Sequence, residues 1–176
     1  MKARLGVVTL LLALAALMFA SLPANAPAAV TLNDYEQQLA KYVNQERAKR
    51  GLAQLRVNTY LVSSAQGHAA DMAKQQYFSH TSISGTSWST RIIRYGYTRR
   101  GYSYWKAGEN IFWGAGLYSS PRFVVDSWMR SSAHRAVILT RAFRDIGVGA
   151  AISENGYGKV KIPVWFFALD VGRRIQ

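Results

Sequence analysis

The stretch Val160-Lys-Ile-Pro-Val-Trp-Phe-Phe-Ala-Leu169 is apolar at consecutive positions from Val164 onward. A strand with one solvated face alternates apolar and polar residues, whereas an unbroken apolar strand is buried on both faces. Such a strand needs helices against each side of its sheet. A second strand is expected over 145–152, joined to one over 159–171 by a hairpin-type loop holding Asn155-Gly156. The expected fold class is α/β of the α+β type. It is an α-β-α sandwich whose central, mostly antiparallel sheet is covered by helices on both faces.

The helices are written in the periodicity. Residues 33–50 carry a stripe of Tyr35, Leu39, Tyr42 and Val43, with Thr31 or Asn33 to cap the start and Arg50-Gly51 to stop it. Asn58 caps a second helix over 60–77, where Leu61, Ala65, His68, Ala69, Met72 and Ala73 share a face. His68 reads as a packed helix histidine, since nothing ionisable accompanies it on that face. Ser120-Pro121 opens another helix, serine as cap and proline at the first helical position. Its inner face is Phe123, Val124, Ser127 and Trp128, and it is expected to end near 129–132, just before His134. Trp128 therefore reads as core. Between Ser79 and Gly108 the periodicity breaks, leaving only a short helical candidate at 89–95. Within that stretch, aromatics and arginines interleave from Tyr95 to Trp105, either lining a groove or pinning a loop.

Lys2 and Arg4, the apolar run from Leu5 to Ala20 and the small residues up to Ala28 follow the order of a secretory signal. Cleavage after Ala28 would leave 29–176 as one domain, secreted to the extracellular side; an uncleaved membrane anchor is the alternative. The chain has no cysteine, so packing must hold it together without disulfides. It carries 22 Lys and Arg against 9 Asp and Glu. That balance favours anionic partners such as a cell-surface polymer or the head groups of a membrane surface. No nucleic-acid module signature is present, and specific nucleic-acid binding is not expected. The domain is expected to act as a monomer.

Three ligand-type residues stand in short polar islands: His80 after Phe78-Ser79, Glu109 in Gly108-Glu109-Asn110, and His134 in Ser132-Ala133-His134-Arg135. Two imidazoles and a carboxylate can hold a divalent cation such as Zn2+. His80 and His134 are too far apart in sequence for one helical turn, so only the fold can bring them together. The Gly108-Glu109-Asn110 island also reads as a helix start, its carboxylate near a helix N-terminus. Trp105 and Trp113 flank this island and are candidates for the rim of a cleft. Arg135 could join that rim, facing a ligand phosphate, or pair with Asp126 or Asp145.

Taken in order, these segments resemble a known family. They are His68-Ala-Ala-Asp-Met-Ala73 with Tyr77-Phe-Ser-His80, then Gly108-Glu-Asn-Ile111, Ser127-Trp-Met129, Ser132-Ala-His-Arg135 with Ile138-Leu139, and Asp145-Ile-Gly-Val-Gly149. From about Leu39 to Phe167 the chain is similar to the bacterial, cysteine-free branch of the CAP superfamily. That superfamily groups cysteine-rich secretory proteins, antigen five and plant pathogenesis-related proteins. The resemblance implies the sandwich already expected. It also implies a central cleft faced by His80, Glu109 and His134, with His80 and His134 as metal ligands, often for zinc. For function it implies binding of a lipid or other small ligand, peptidase-like hydrolysis, or protein interaction. The chain departs from the family pattern at Ser131, where many members carry a second glutamate, and at Val137 and Phe167, where Asn and Gln are usual.

Of these readings, a binding cleft fits the residues best. A hydrolytic zinc site needs three protein ligands and a base. If Glu109 serves as base, only His80 and His134 remain as ligands. The serines near the histidines form no evident triad.

Overall fold

The computed structural model describes residues 31–176, so the expected leader, 1–28, lies outside the described residues. The elements run α1 (Asp34–Ala48), β1 (Arg56–Val57), α2 (Thr59–Gln75), α3 (Trp88–Arg94), β2 (Tyr104–Ala115), a 3-10 turn (Gly116–Ser119), α4 (Pro121–Arg130), α5 (Ser132–Leu139), β3 (Asp145–Ser153) and β4 (Val164–Ile175). The sheet order is β1-β3-β4-β2. β1 pairs with β3 in parallel, while β3–β4 and β4–β2 are antiparallel. Among the described residues no helix is long and apolar enough to cross a membrane.

β4 is buried on both faces. Phe167, Leu169 and Val171 pack with Leu39 and Val43 of α1, Val124 and Trp128 of α4 and Ile138 of α5. The alternate residues Val164, Phe166 and Ala168 pack with Ala65 and Met72 of α2. Each large side chain removed from water on either side contributes roughly 1.5–3 kcal/mol. α3 completes the second layer, where Ile92 meets Leu61 and Tyr97. The mixed α+β sandwich is the architecture read from the sequence.

The caps explain the helix starts. Asn33 and Glu36 form a reciprocal capping box on α1, and the Asn58 carboxamide oxygen accepts from Tyr60 and Leu61 at the start of α2. Ser120 does occupy the position before Pro121, but its hydroxyl makes no capping bond. Further departures from the sequence reading matter more. α5 follows α4 almost directly, so His134 lies inside a helix and not in a loop after one. Gly108-Glu109-Asn110 is the interior of the long strand β2, not a helix start. β1, just before the Asn58 cap, is a strand the sequence reading does not include. β4 begins after Pro163, which has no N–H to give a ladder, and runs on to Ile175.

α5 is fixed from a distance. The buried Arg47 guanidinium donates to the carbonyls of Ala53 (2.9 Å), Ile138 (2.7 Å) and Thr140 (3.0 Å). It thereby satisfies orphan carbonyls at the α5 C-terminus. On the opposite layer, α2 lies directly on β3. A Cβ added at Gly147 would sit 2.0 Å from the Leu61 carbonyl carbon, and one at Gly149 would sit 2.2 Å from that of Ala65. No side chain fits there. Gly149→Ala should therefore cost about 3 kcal/mol, the upper range for overpacking, read from urea unfolding midpoints. Gly108→Ala is the control, since its Cβ would meet only side-chain atoms, the nearest being the movable Val137 Cγ1 at 3.3 Å. Equal midpoints for the two variants would show that the α2–β3 contact yields easily.

Candidate functional site

Among the described residues β2 is an edge strand, paired only with β4. Successive side chains on a strand point to opposite faces. Glu109 turns toward the α2–α3 layer and its Oε1 meets His80 Nδ1 at 2.8 Å. Asn110 turns toward the α5 layer, where its Nδ2 donates to the His134 carbonyl at 3.0 Å. Two adjacent residues thus hold the two histidine segments from opposite sides of one strand edge. Trp128 Nε1 donates to the Ile111 carbonyl at 3.0 Å and secures the next residue of that strand.

The loop bearing His80 leaves α2 through Gln76, whose φ of 58° is left-handed. It is tied back by the buried His68, whose Nε2 lies 2.9 Å from the Ser79 carbonyl oxygen. Burial pushes the His68 pKa down, against the pull of the Glu109 charge. The sequence placed nothing ionisable beside His68. The fold adds Asp71, reached through Tyr77, whose hydroxyl donates to Asp71 at 2.5 Å and lies 3.5 Å from His68 Nδ1. Burial and that Asp71 bond push the Tyr77 pKa up to about 12. His68 is thus an anchor for the loop.

Between the two histidines lies a cavity of about 420 Å³, lined by Phe78, Ser79, His80, Ile111, Phe112, Trp113 and His134. Its size suits a small molecule, and its walls are mostly apolar with a few polar groups at one side. Burial, with His80 nearby, lowers the His134 pKa and favours a neutral imidazole. Trp113 lies on the cavity wall. Trp105 lies elsewhere: its Nε1 donates to the Tyr97 carbonyl at 2.9 Å and its ring packs with the α3 cluster. Arg135 is exposed and donates to the Met129 carbonyl at 3.1 Å, pairing with neither Asp126 nor Asp145. The loop from Tyr95 to Trp105 is pinned by its aromatics: Tyr97 is fully buried and donates to Asp145 at 2.6 Å.

Two functional-site residues carry no motif in the sequence. Arg91, nearly buried on α3, pairs with Glu109 Oε2. Both Glu109 oxygens are therefore engaged. Asp170, fully buried on β4, is the cross-strand partner of Glu109. Neither Asp170 oxygen has a hydrogen-bond partner, although the Ser64 hydroxyl and Glu109 face it. A lone Asp inside the apolar run Phe166–Val171 was the available signal. Among the described residues no three His, Cys, Asp or Glu side chains converge as a metal-ligating set. Metal coordination at this site would start from the two imidazoles alone.

Burial, and then the Glu109 charge, raise the Asp170 pKa well above the carboxylate range. A carboxyl raised in the folded state supports folding most fully below its unfolded pKa of about 4. That support is lost as pH rises toward the folded value. Asp170→Asn should therefore gain stability over wild type on going from about pH 4 to about pH 7, as urea midpoints will show. A gap between the two proteins that stays constant with pH would mean that Asp170 is ionised in the fold.

Three comparisons bear on this geometry. Solved structures share the fold. An extracellular protein containing an SCP domain from Bacillus anthracis aligns at TM-score 0.60 and 25% identity, over 82% of this chain and 45% of that one. An outer surface protein from Borrelia burgdorferi aligns at TM-score 0.63 and 19% identity, over 82% of this chain and 96% of that one. In sequence, the uncharacterized protein YkwD of Bacillus subtilis is 37% identical over 125 residues, covering 71% of this chain. The uncharacterized membrane protein YlbC of the same organism is 32% identical over 115 residues, covering 65%. The chain spans less than half the length of these curated relatives, 45% and 31% respectively. The family model for CAP, the cysteine-rich secretory protein family, matches residues 40–170, a span that contains His80, Glu109 and His134 and the strand edge between them, and the chain belongs to that family.

Proposed function

We propose that this domain is a binding module whose cleft takes an apolar or amphipathic ligand with an anionic end. One observation carries the reading: the cavity has aromatic and aliphatic walls at Phe78, Ile111, Phe112 and Trp113, with the imidazoles of His80 and His134 as its main polar groups. Such a pocket buries a hydrocarbon portion and orients it through a polar end. The engagement of Glu109 supports binding over hydrolysis. A general base needs a free carboxylate oxygen near the attacking water, and here Arg91 holds one oxygen and His80 the other.

His80 and His134 would hold a divalent cation such as Zn2+. The donor set fits in one respect. With His80 Nδ1 committed to Glu109 at 2.8 Å, Nε2 is the nitrogen left for a metal. A carboxylate behind a ligating imidazole fixes its tautomer and raises its basicity. His134 favours the neutral form that ligation requires. A bound cation would supply positive charge for the ligand's anionic end. The extracellular character of the Bacillus anthracis relative, together with the leader-like residues 1–28, supports a place of action outside the cell.

Titration calorimetry with Zn2+ at about pH 7.5, where histidine is neutral, should show a single site in wild type. His80→Ala/His134→Ala, still folded by circular dichroism, should show none. Equal heats from both proteins would remove the metal from the reading. A fluorescent fatty acid should bind without being consumed, and Trp113→Ala should weaken it about tenfold, the worth of part of one aromatic side chain. Turnover of an ester or peptide that disappears in Glu109→Gln would replace binding with hydrolysis.

A further inference from the structure

One end of the sheet is unusually apolar at its tips. Ala115 and Val164 are the last paired residues of β2 and β4. Two residues beyond Ala115 stands Leu117, the most exposed large hydrophobic residue among those described, at 88%. Tyr118 beside it is 63% exposed, and Ile162, two residues before Val164, is 55% exposed. Single exposed apolar residues are ordinary, but several at one end, ringed by cations, mark a contact surface. Lys159 and Lys161 both precede Ile162, against one carboxylate, Glu154, on the same loop. Arg130 lies over the Phe123 ring at 5.6 Å.

These tips rest on the walls of the cleft. The Tyr118 ring packs edge-on to Phe123 at 5.1 Å, and Phe123 packs on the cleft residue Phe112 at 6.3 Å. In the β3–β4 loop, Tyr157 packs on the cleft residue Trp113 at 5.1 Å. Tyr118 and the apolar part of the cavity are therefore joined through a continuous run of rings.

We propose that Leu117, Tyr118 and Ile162 are a docking face for an anionic lipid bilayer. Leucine and isoleucine enter the acyl boundary and tyrosine sits at head-group level, as aromatic rings do at such interfaces. Lys159, Lys161 and Arg130 stay among the lipid phosphates, their stems along the apolar surface. Docking in this pose sets the aromatic wall of the cleft against the membrane. This inference stands apart from the cleft's occupant, since a bilayer can bind the tips whatever the cavity holds.

The absence of cysteine allows a position-specific test in the full chain. Leu117→Cys, Ile162→Cys and Gln176→Cys are each labelled with an environment-sensitive fluorophore. Vesicles of equal parts phosphatidylglycerol and phosphatidylcholine are then added. The expected result is a blue shift at 117 and 162 and none at 176, at the opposite, arginine-rich end. Leu117→Asp in the protein labelled at 162 should raise the vesicle concentration for half the shift about tenfold, the effect of one aliphatic side chain kept in water. Overturning results are a shift at 176, or no shift at 117 and 162. So is a shift at 117 that appears with protein concentration alone, which would mean that a second copy covers the tips.

Discussion

The contact between α2 and β3 sets the rest of the molecule. Gly147 and Gly149 leave no strand side chain against the helix backbone at Leu61 and Ala65, so α2 lies closer to the sheet than a residue with Cβ would allow. That fixes the height and direction of the helix. His68, buried on its inner face, can then reach Ser79 and draw the departing loop inward. His80 arrives over the edge of β2 because of that tether, and Glu109 meets it there. The position of one imidazole in the cleft thus follows from two missing methyl groups on a strand far away in sequence.

The second imidazole is placed by a different device. α5 is short, has no side-chain cap and fully buries only Ile138. A helix of that length is marginal on its own. Its order comes from Arg47 at its C-terminus and Asn110 under His134. Both anchors are buried polar groups, and a buried polar group is costly unless it is satisfied. The same rule governs the other face. Glu109 is satisfied by Arg91 and His80, which leaves Asp170 without a salt bridge of its own, and burial with a neighbouring carboxylate raises its pKa. One arginine balances one carboxylate, and the second acid is left to burial.

What the sequence showed, and what it hid, divides along the same line. α1, α2 and α4 were legible because each has a 3.6-residue apolar stripe and a start signal in Asn33, Asn58 or Pro121. β4 was legible because burial on both faces leaves an unbroken apolar run. Its extension from 171 to Ile175 was not, since Arg173 and Arg174 look like solvent residues. In the fold Asp170 is buried beside Glu109, and Arg174 stacks over Tyr97 at 4.2 Å. β2 was hidden for the reason that makes it useful: its inward positions include Glu109 and Asn110, which break the apolar alternation of a strand. α5 was hidden because its anchors lie outside it in sequence. The resemblance implied that His80, Glu109 and His134 face one cleft; in the fold His80 and His134 line the cavity, and Glu109 stands behind His80 without lining it. On the bare residues a structural role was the favoured reading. Arg91 and Asp170 came only from the geometry.

The distribution of charge follows from how few acids there are. Of the nine carboxylates, Glu36, Glu46, Glu109 and Asp170 are buried, and apart from the Glu109 pairs, Glu46 and Asp126 take all the salt bridges found among the described residues. Little is left for the cations at the far end of the sheet. There Lys106 and Arg173 face each other across β2 and β4, a like-charge pair that costs some tenths of a kcal/mol or more. Their field draws the domain toward any anionic surface but falls off within about 8 Å in physiological salt. It therefore governs approach and not orientation. Orientation requires contacts that form only on touching. The apolar tips at Leu117 and Ile162, with Tyr118 joined through Phe123 to the cleft residue Phe112, have that short-range character.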